Sequence, residues 1–247
     1  MTKHYIIMSS SYSDGKRIAL DITEEALLNS QTIEKIIVDI KSSCDEDVPL
    51  STHFIETEST SWESVKEYDP FFDEVECTKS ASEFASKIKK DRTLSALDVA
   101  NYILSKVKCT HLALEKLVYF AYADYLCTYS KKLFDDKIFA FTHGPVIDSV
   151  YSIYKKSGYD YVSPSDEYVS TSVKALPIKS RILFAKDGVE KLQSIDKTLE
   201  KYGTYTAGSL VELTHKEGSP WSKVDSTKQY QIIPDELIKE FHFVECV

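Results

Sequence analysis

No stretch of this 247-residue chain is apolar for long enough to cross a bilayer. The N-terminal run MTKHYIIMSSS is too short in apolar residues for a signal peptide. Together these absences predict a soluble, cytoplasmic protein with no membrane partner. Cysteine is sparse: Cys44, Cys77, Cys109, Cys127 and Cys246 are odd in number, widely spaced and form no C-x-x-C pair. A disulfide framework and a zinc ribbon are therefore disfavoured, and reduced thiols are expected, with Cys109 and Cys127 packed beside core helices. Glycines and prolines, seven of each, fall mostly at turns and stops. There is no internal repeat and no low-complexity tract.

Patterns that carry chemistry are missing as well. The six histidines are His4, His53, His111, His143, His215 and His242, and no two stand three or four residues apart. No helix therefore presents a histidine pair to a metal. His215 with Glu217, or His143, are the candidates for ligation by residues distant in sequence, but satisfied structural histidines are the expectation. The serines lack a G-x-S-x-G elbow, and no cysteine sits in a nucleophile context. The paired acids Asp135-Asp136 and Asp45-Glu46-Asp47 read as solvated loop faces. The SSSYSDGK run lacks the spacing of a phosphate loop and reads better as a hairpin. The sequence thus predicts no catalytic residue, no metal and no cofactor.

Positive charge is scarce in one region. Residues 1–94 hold 19 acids and 11 bases, and between Cys44 and Thr78 eleven acids face Lys66 alone. Such a segment repels a phosphate backbone, so a nucleic-acid partner is not expected. It reads either as a solvated acidic loop or as a surface that attracts a basic partner.

What is present is strong patterning. Tyr5–Ser9 and Arg17–Ile22 are expected strands around the Asp14-Gly15 turn, and His53–Glu58 is a third. Thr23 and Thr32 are candidate caps, and Ile33, Ile36, Ile37 and Ile40 make a helical stripe. Asp69-Pro70 marks a turn, with Phe71 and Phe72 beside it expected in the core. Ser80 caps a helix over Ala81–Lys90, and Asp91–Thr93 forms a short joint. Ser95 with Asp98 is a short capping box for a helix carrying Val99, Ala100, Ile103, Leu104 and Val107 inward. Thr110 caps the next helix, striped Leu114, Leu117, Val118, Ala121 and Tyr125. On that helix Tyr122, Tyr125 and Tyr129 line up. They either pack against neighbouring helices with hydroxyls at the rim or face a partner. Lys137–Thr142 is a short strand, Gly144 a turn, and Pro145 the expected start of a further helix that Gly158 stops. Residues 159–177 read as a long connection, hairpin-prone and mobile. Asp187–Tyr202 is helical with Val189, Leu192, Ile195 and Leu199 inward. Gly203 stops it. Thr206 caps a helix with Leu210, Val211 and Thr214, Pro220-Trp221 is a turn, and Pro234–Glu236 open a last helix. The fold class is α+β: a small acidic α+β domain over 1–91, then a mainly α-helical domain over 94–247 with a short strand or hairpin.

Several motifs recur in order: Leu97-Asp98-Val99-Ala100-x-x-Ile103-Leu104, Leu114-x-Lys116-Leu117-x-Tyr119-Phe120-Ala121, Leu133-Phe134, Gly144-Pro145-Val146, Val150-Tyr151, and Leu210-x-x-Leu213-Thr214-His215-x-Glu217-x-x-Pro220-Trp221. In this order the set resembles the Panacea domain, the SocA-like antitoxin family, over about residues 94–243. Glu115 stands where that family usually has glutamine, and His143 where an aromatic commonly precedes the Gly-Pro. The resemblance implies a bacterial or phage-associated toxin–antitoxin protein that binds a cognate toxin directly, without catalysis, a basic toxin suiting the acidic segment. A protease served by an adaptor role is a second implied partner. The partner-binding candidates are Tyr119, Tyr122, His143, Gly144, Pro145, Thr214, His215, Pro220 and Trp221. The alternatives are a DNA-binding regulator of gene expression using Lys106, Lys108, Lys116, Lys131, Lys132, Lys155 and Lys156, and a metal-dependent enzyme around His143 and His215.

Overall fold

The computed structural model describes residues 1–12, 15–24, 28–44, 47–163, 178–224 and 230–246. Asp14 of the expected first turn and residues 164–177 of the expected long connection lie outside them. The chain has an α+β fold and divides into two compact units, the first built on Met1–Arg92 and the second beginning at Thr93.

The first unit is a four-stranded sheet of β1 (Thr2–Ser11), β2 (Lys16–Ile22), β3 (Ser51–Thr57) and β4 (Val75–Thr78), in the order β3-β1-β2-β4. Strand β1 runs antiparallel to both neighbours, and β4 joins β2 in parallel. Both faces are covered, which is why Tyr5-Ile6-Ile7-Met8 is an unbroken apolar run rather than an alternating one. Ile7, Leu20 and Ile22 meet α1 (Ser30–Cys44) on one face. Ile6 and Met8 meet α2 (Trp62–Tyr68) and the 3-10 turn Pro70–Phe72 on the other. Helix α3 (Ala81–Arg92) adds Phe84 and Ile88 to the first face.

Ile33 and Ile40 of the expected stripe are buried, with Ile36 and Ile37 half-buried beside them. The cap is Asn29 rather than Thr32: Thr32 N donates to Asn29 Oδ1 at 2.9 Å, which leaves Thr32 inside the first turn. The Phe71–Phe72 pair divides. Phe72 is core, while Phe71 is 45% exposed beneath the Arg17 guanidinium, 4.3 Å from its ring centroid. His4 is a fully buried structural histidine whose Nδ1 donates to Asp21 Oδ1 at 3.0 Å.

The second unit begins with α4 (Ala96–Lys106), whose capping box forms as its residues dictate: Asp98 N donates to Ser95 Oγ at 3.2 Å and Ser95 N to Asp98 Oδ2 at 2.8 Å. Helix α5 (His111–Tyr129), capped by Thr110, is the centre. It was expected to show one apolar stripe. Instead it is buried on nearly every side from Ala113 to Leu126, as befits a helix with elements packed all round it. Those elements include α4, α6 (Asp148–Tyr154), α8 (Gly188–Tyr202), α9 (Ala207–Thr214) and α10 (Asp235–Phe241). Helix α7 (Ile178–Leu183) packs on α4 and α8.

A three-stranded sheet lies against α5: β5 (Ile138–Phe141), β6 (Gly144–Ile147) and β7 (Gln231–Ile232), ordered β6-β5-β7. Gly144-Pro145 does not open a helix. Gly144 pairs with Phe141 and Pro145 with Ala140 in a hairpin closed by Thr142 and His143, and the helix starts only at Asp148. Proline is tolerated because β6 is an edge strand. Two further expectations shift. Val189 is 58% exposed rather than inward, and Cys127 is exposed rather than packed away. Gly203 ends α8 where expected, at φ −64°.

Candidate functional site

The Gly-Pro hairpin and the Thr214–Trp221 segment, far apart in sequence, form one knot. Gly144 has φ +100°, backbone that side chains rarely adopt. A Cβ there would stand 2.7 Å from Thr214 Oγ1 and 3.0 Å from Lys116 Cε. The absence of a side chain thus lets the hairpin sit on α5 and α9. Thr214 Oγ1 donates to Val211 O at 2.9 Å, His215 Nδ1 donates to the same carbonyl at 2.8 Å, and His215 Nε2 faces Thr142 O at 3.3 Å. The Trp221 ring lies against His215, centroids 3.7 Å apart, and its Nε1 donates to Phe141 O at 2.8 Å. Pro220 is buried beside it. Replacing Trp221 by Phe keeps most of the ring but removes this hydrogen bond. The expected cost is about 1 kcal/mol, read from the denaturant midpoint of the second unit.

Two charged residues of α5 hold the hairpin from below. Lys116, fully buried, donates from Nζ to Pro145 O at 2.8 Å, and Ile147 N donates to Glu115 Oε2 at 3.1 Å. Burial pushes the Glu115 carboxyl up to about 7 against the opposing pull of Lys116, and pushes the Lys116 ammonium down to about 8 against Glu115. Glu115 Oε1 is buried without a hydrogen-bond partner among the described residues.

The knot displays an aromatic surface. Along β5 the side chains alternate: Ile138 and Ala140 are buried, Phe139 and Phe141 are half-exposed on the other face. Tyr230 stands edge-on to both, its centroid 5.9 Å from Phe139 and 5.5 Å from Phe141, and Tyr151 of α6 lies 5.6 Å from Phe141. Tyr230 is 59% exposed and Ile232 46%. Tyr230 also holds a positive φ of 61° without being glycine, a backbone state that costs energy.

The residues named from sequence separate into support and display. Tyr119 and Tyr122 are buried in the core, their hydroxyls donating at 2.8 Å to Glu245 Oε2 and to Asp235 Oδ1. They were expected as contact residues, but their rings are enclosed by the elements packed round α5. Gly144, Pro145, Thr214 and Pro220 are buried supports, and His215 and Trp221 are half-buried. Only His143, with Thr142, is fully on display at the hairpin tip. Phe139, Phe141, Tyr151, Tyr230 and Ile232, none of them named from sequence, line this aromatic surface. The alternation in Lys137–Thr142 signalled two outward phenylalanines, while Tyr230 joins them through a two-residue strand too short to read.

Three of the lysines named for DNA are already engaged within the fold. Lys116 is buried; Lys131 pairs with Asp187 at 3.2 Å and Glu190 at 3.5 Å; and Lys132 pairs with Asp235 at 3.3 Å. Among the described residues no helix is long and apolar enough to cross a membrane.

Residues 114–222 match the family described as antitoxin SocA-like, Panacea domain. The span opens at Leu114 in α5 and closes just past Trp221. The antitoxin SocA of Caulobacter vibrioides (strain NA1000 / CB15N) is 26% identical over 140 residues, covering 54% of this chain and 71% of that protein. No solved structure matches the chain significantly. The chain therefore carries, over part of its length, a SocA-like Panacea domain.

Proposed function

We propose that this protein is an antitoxin that neutralises a cognate toxin protein by direct, non-covalent contact, and that the outward aromatic face of the β6-β5-β7 sheet is where the toxin docks. One observation carries the reading: a buried knot within the matched span 114–222 holds an aromatic surface open to solvent, which Tyr230 and Ile232 extend from just beyond that span. Tyrosine and phenylalanine are enriched in interface centres, where a few such rings supply most of the binding energy. The hairpin tip at His143 borders this surface. No step in the reading makes or breaks a bond. The acidic run between Cys44 and Thr78 suits a basic toxin, whose approach it would accelerate.

The test uses the purified chain and the product of its genomic neighbour, mixed and measured by calorimetry. A complex is expected. Phe139→Ala and Tyr230→Ala should each weaken it by about 2 kcal/mol, roughly 30-fold in Kd. Val189→Ser, on the exposed face of α8, should leave it unchanged. Absence of a complex, or equal affinity for all three variants and the wild type, would contradict the proposal.

A further inference from the structure

At the other end of α5 stands a second constellation. We infer that Asp124, His242 and Cys246 form a binding site for a divalent transition-metal ion, with zinc the ion that their donors suit best. One donor atom from each residue lies within 4.8 Å of the other two. His242 Nε2 is 3.1 Å from Asp124 Oδ1. Two such ligands on a tetrahedral zinc ion, with bonds of about 2.0–2.2 Å, stand roughly 3.3 Å apart. The pair is thus already at ligand spacing. Imidazole, thiolate and carboxylate together are a zinc donor set.

The surroundings are those of a built site. A metal-bound histidine ordinarily passes its other N–H to a carboxylate, which fixes ring and tautomer. Here His242 Nδ1 donates to Glu245 Oε2 at 2.9 Å, leaving Nε2 toward Asp124. Glu245 is itself anchored by the Tyr119 hydroxyl at 2.8 Å. Asp124 is oriented in the same way, its Oδ2 accepting from Thr198 Oγ1 at 2.7 Å. Glu245 and His242 are buried, and Glu245 Oε1 has no hydrogen-bond partner among the described residues.

Two carboxylates and a thiol converge on one imidazole, a surplus of negative groups that a divalent cation would meet. Three protein donors leave one coordination position for water or a fourth ligand. His242 opens the 3-10 turn His242–Val244 and Cys246 follows it, so the ion would pin this segment to the central helix.

The test uses the full chain, purified without chelator and without a histidine tag. Elemental analysis should find about one zinc per chain. Cobalt(II) added to the chelator-stripped protein should give a thiolate-to-metal charge-transfer band, absent in Cys246→Ser. Thr198→Val keeps all three donors but frees Asp124, and should weaken zinc binding about 10–100-fold. Zinc should also raise the melting temperature of the stripped protein. A chain folded by circular dichroism that holds no metal, shows no cobalt band and melts identically with zinc would overturn the assignment. So would a Cys246→Ser variant that keeps the full band.

Discussion

Gly144→Ala is expected to lower the stability of the second unit by about 3 kcal/mol. Two independent causes act at this position. The backbone sits at φ +100°, where a side chain is strained whatever space surrounds it. The added methyl also meets Thr214 Oγ1 at 2.7 Å and Lys116 Cε at 3.0 Å. The lysine cannot swing clear without abandoning Pro145 O, and Thr214 is fully buried. The strain must therefore move the hairpin off α5, which would also disturb the Trp221 bond to Phe141 O. Denaturant unfolding of variant and wild type measures the loss. The variant should also bind the toxin more weakly, because Phe141 precedes the turn and moves with it.

Lys116→Met should cost about 3–5 kcal/mol near pH 8, the usual penalty for leaving a buried charge uncompensated. The substitution keeps the volume but leaves the Glu115 carboxylate alone and Pro145 O without its donor. Adding Glu115→Gln to it should restore much of the loss, since the amide oxygen still accepts from Ile147 N and no charge is buried. Glutamine is also the usual residue there in the family that this stretch resembles.

The same pair predicts the pH dependence. Glu115 rises from its ordinary 4.5 to about 7, so the folded protein holds that proton more tightly than the unfolded chain. The corresponding stability is fully present below the ordinary value and is lost as pH rises through 7. Lys116 falls from 10.5 to about 8, so the folded protein holds its proton less tightly. Stability on this account recovers as pH climbs from 8 toward 10.5. The minimum lies between about pH 7 and 8, and Glu115→Gln should abolish the decline below it. Urea midpoints measured across pH 4.5–9 would show whether it does.

Local signals in the sequence carried much of this fold. Ser95 with Asp98, Thr110, Thr206 and Gly158 act where they were expected, because a cap or stop depends on a few neighbouring residues. Short elements escaped. The seven residues of α2 and the four of β4 give periodicity too little length to show. The role of Gly144-Pro145 was misread because the dipeptide fits either a helix start or an edge-strand turn. Only the pairing with β5 and the close approach of Thr214 decide between them. Tyr119 and Tyr122 looked like surface candidates because tyrosine suits both core edge and interface. Their enclosure depends on α8–α10, helices far along the chain from α5. The Asp124, His242 and Cys246 cluster has no local signature, because Asp124 lies more than 100 residues before the other two and only folding brings it beside them.

The most direct measurement is amide hydrogen exchange of the chain with and without its toxin. The account predicts new protection in Ile138–Ile147 and around Tyr230–Ile232, with the α8 surface around Val189 unchanged. Protection confined to other segments, with the hairpin exchanging equally in both states, would contradict it.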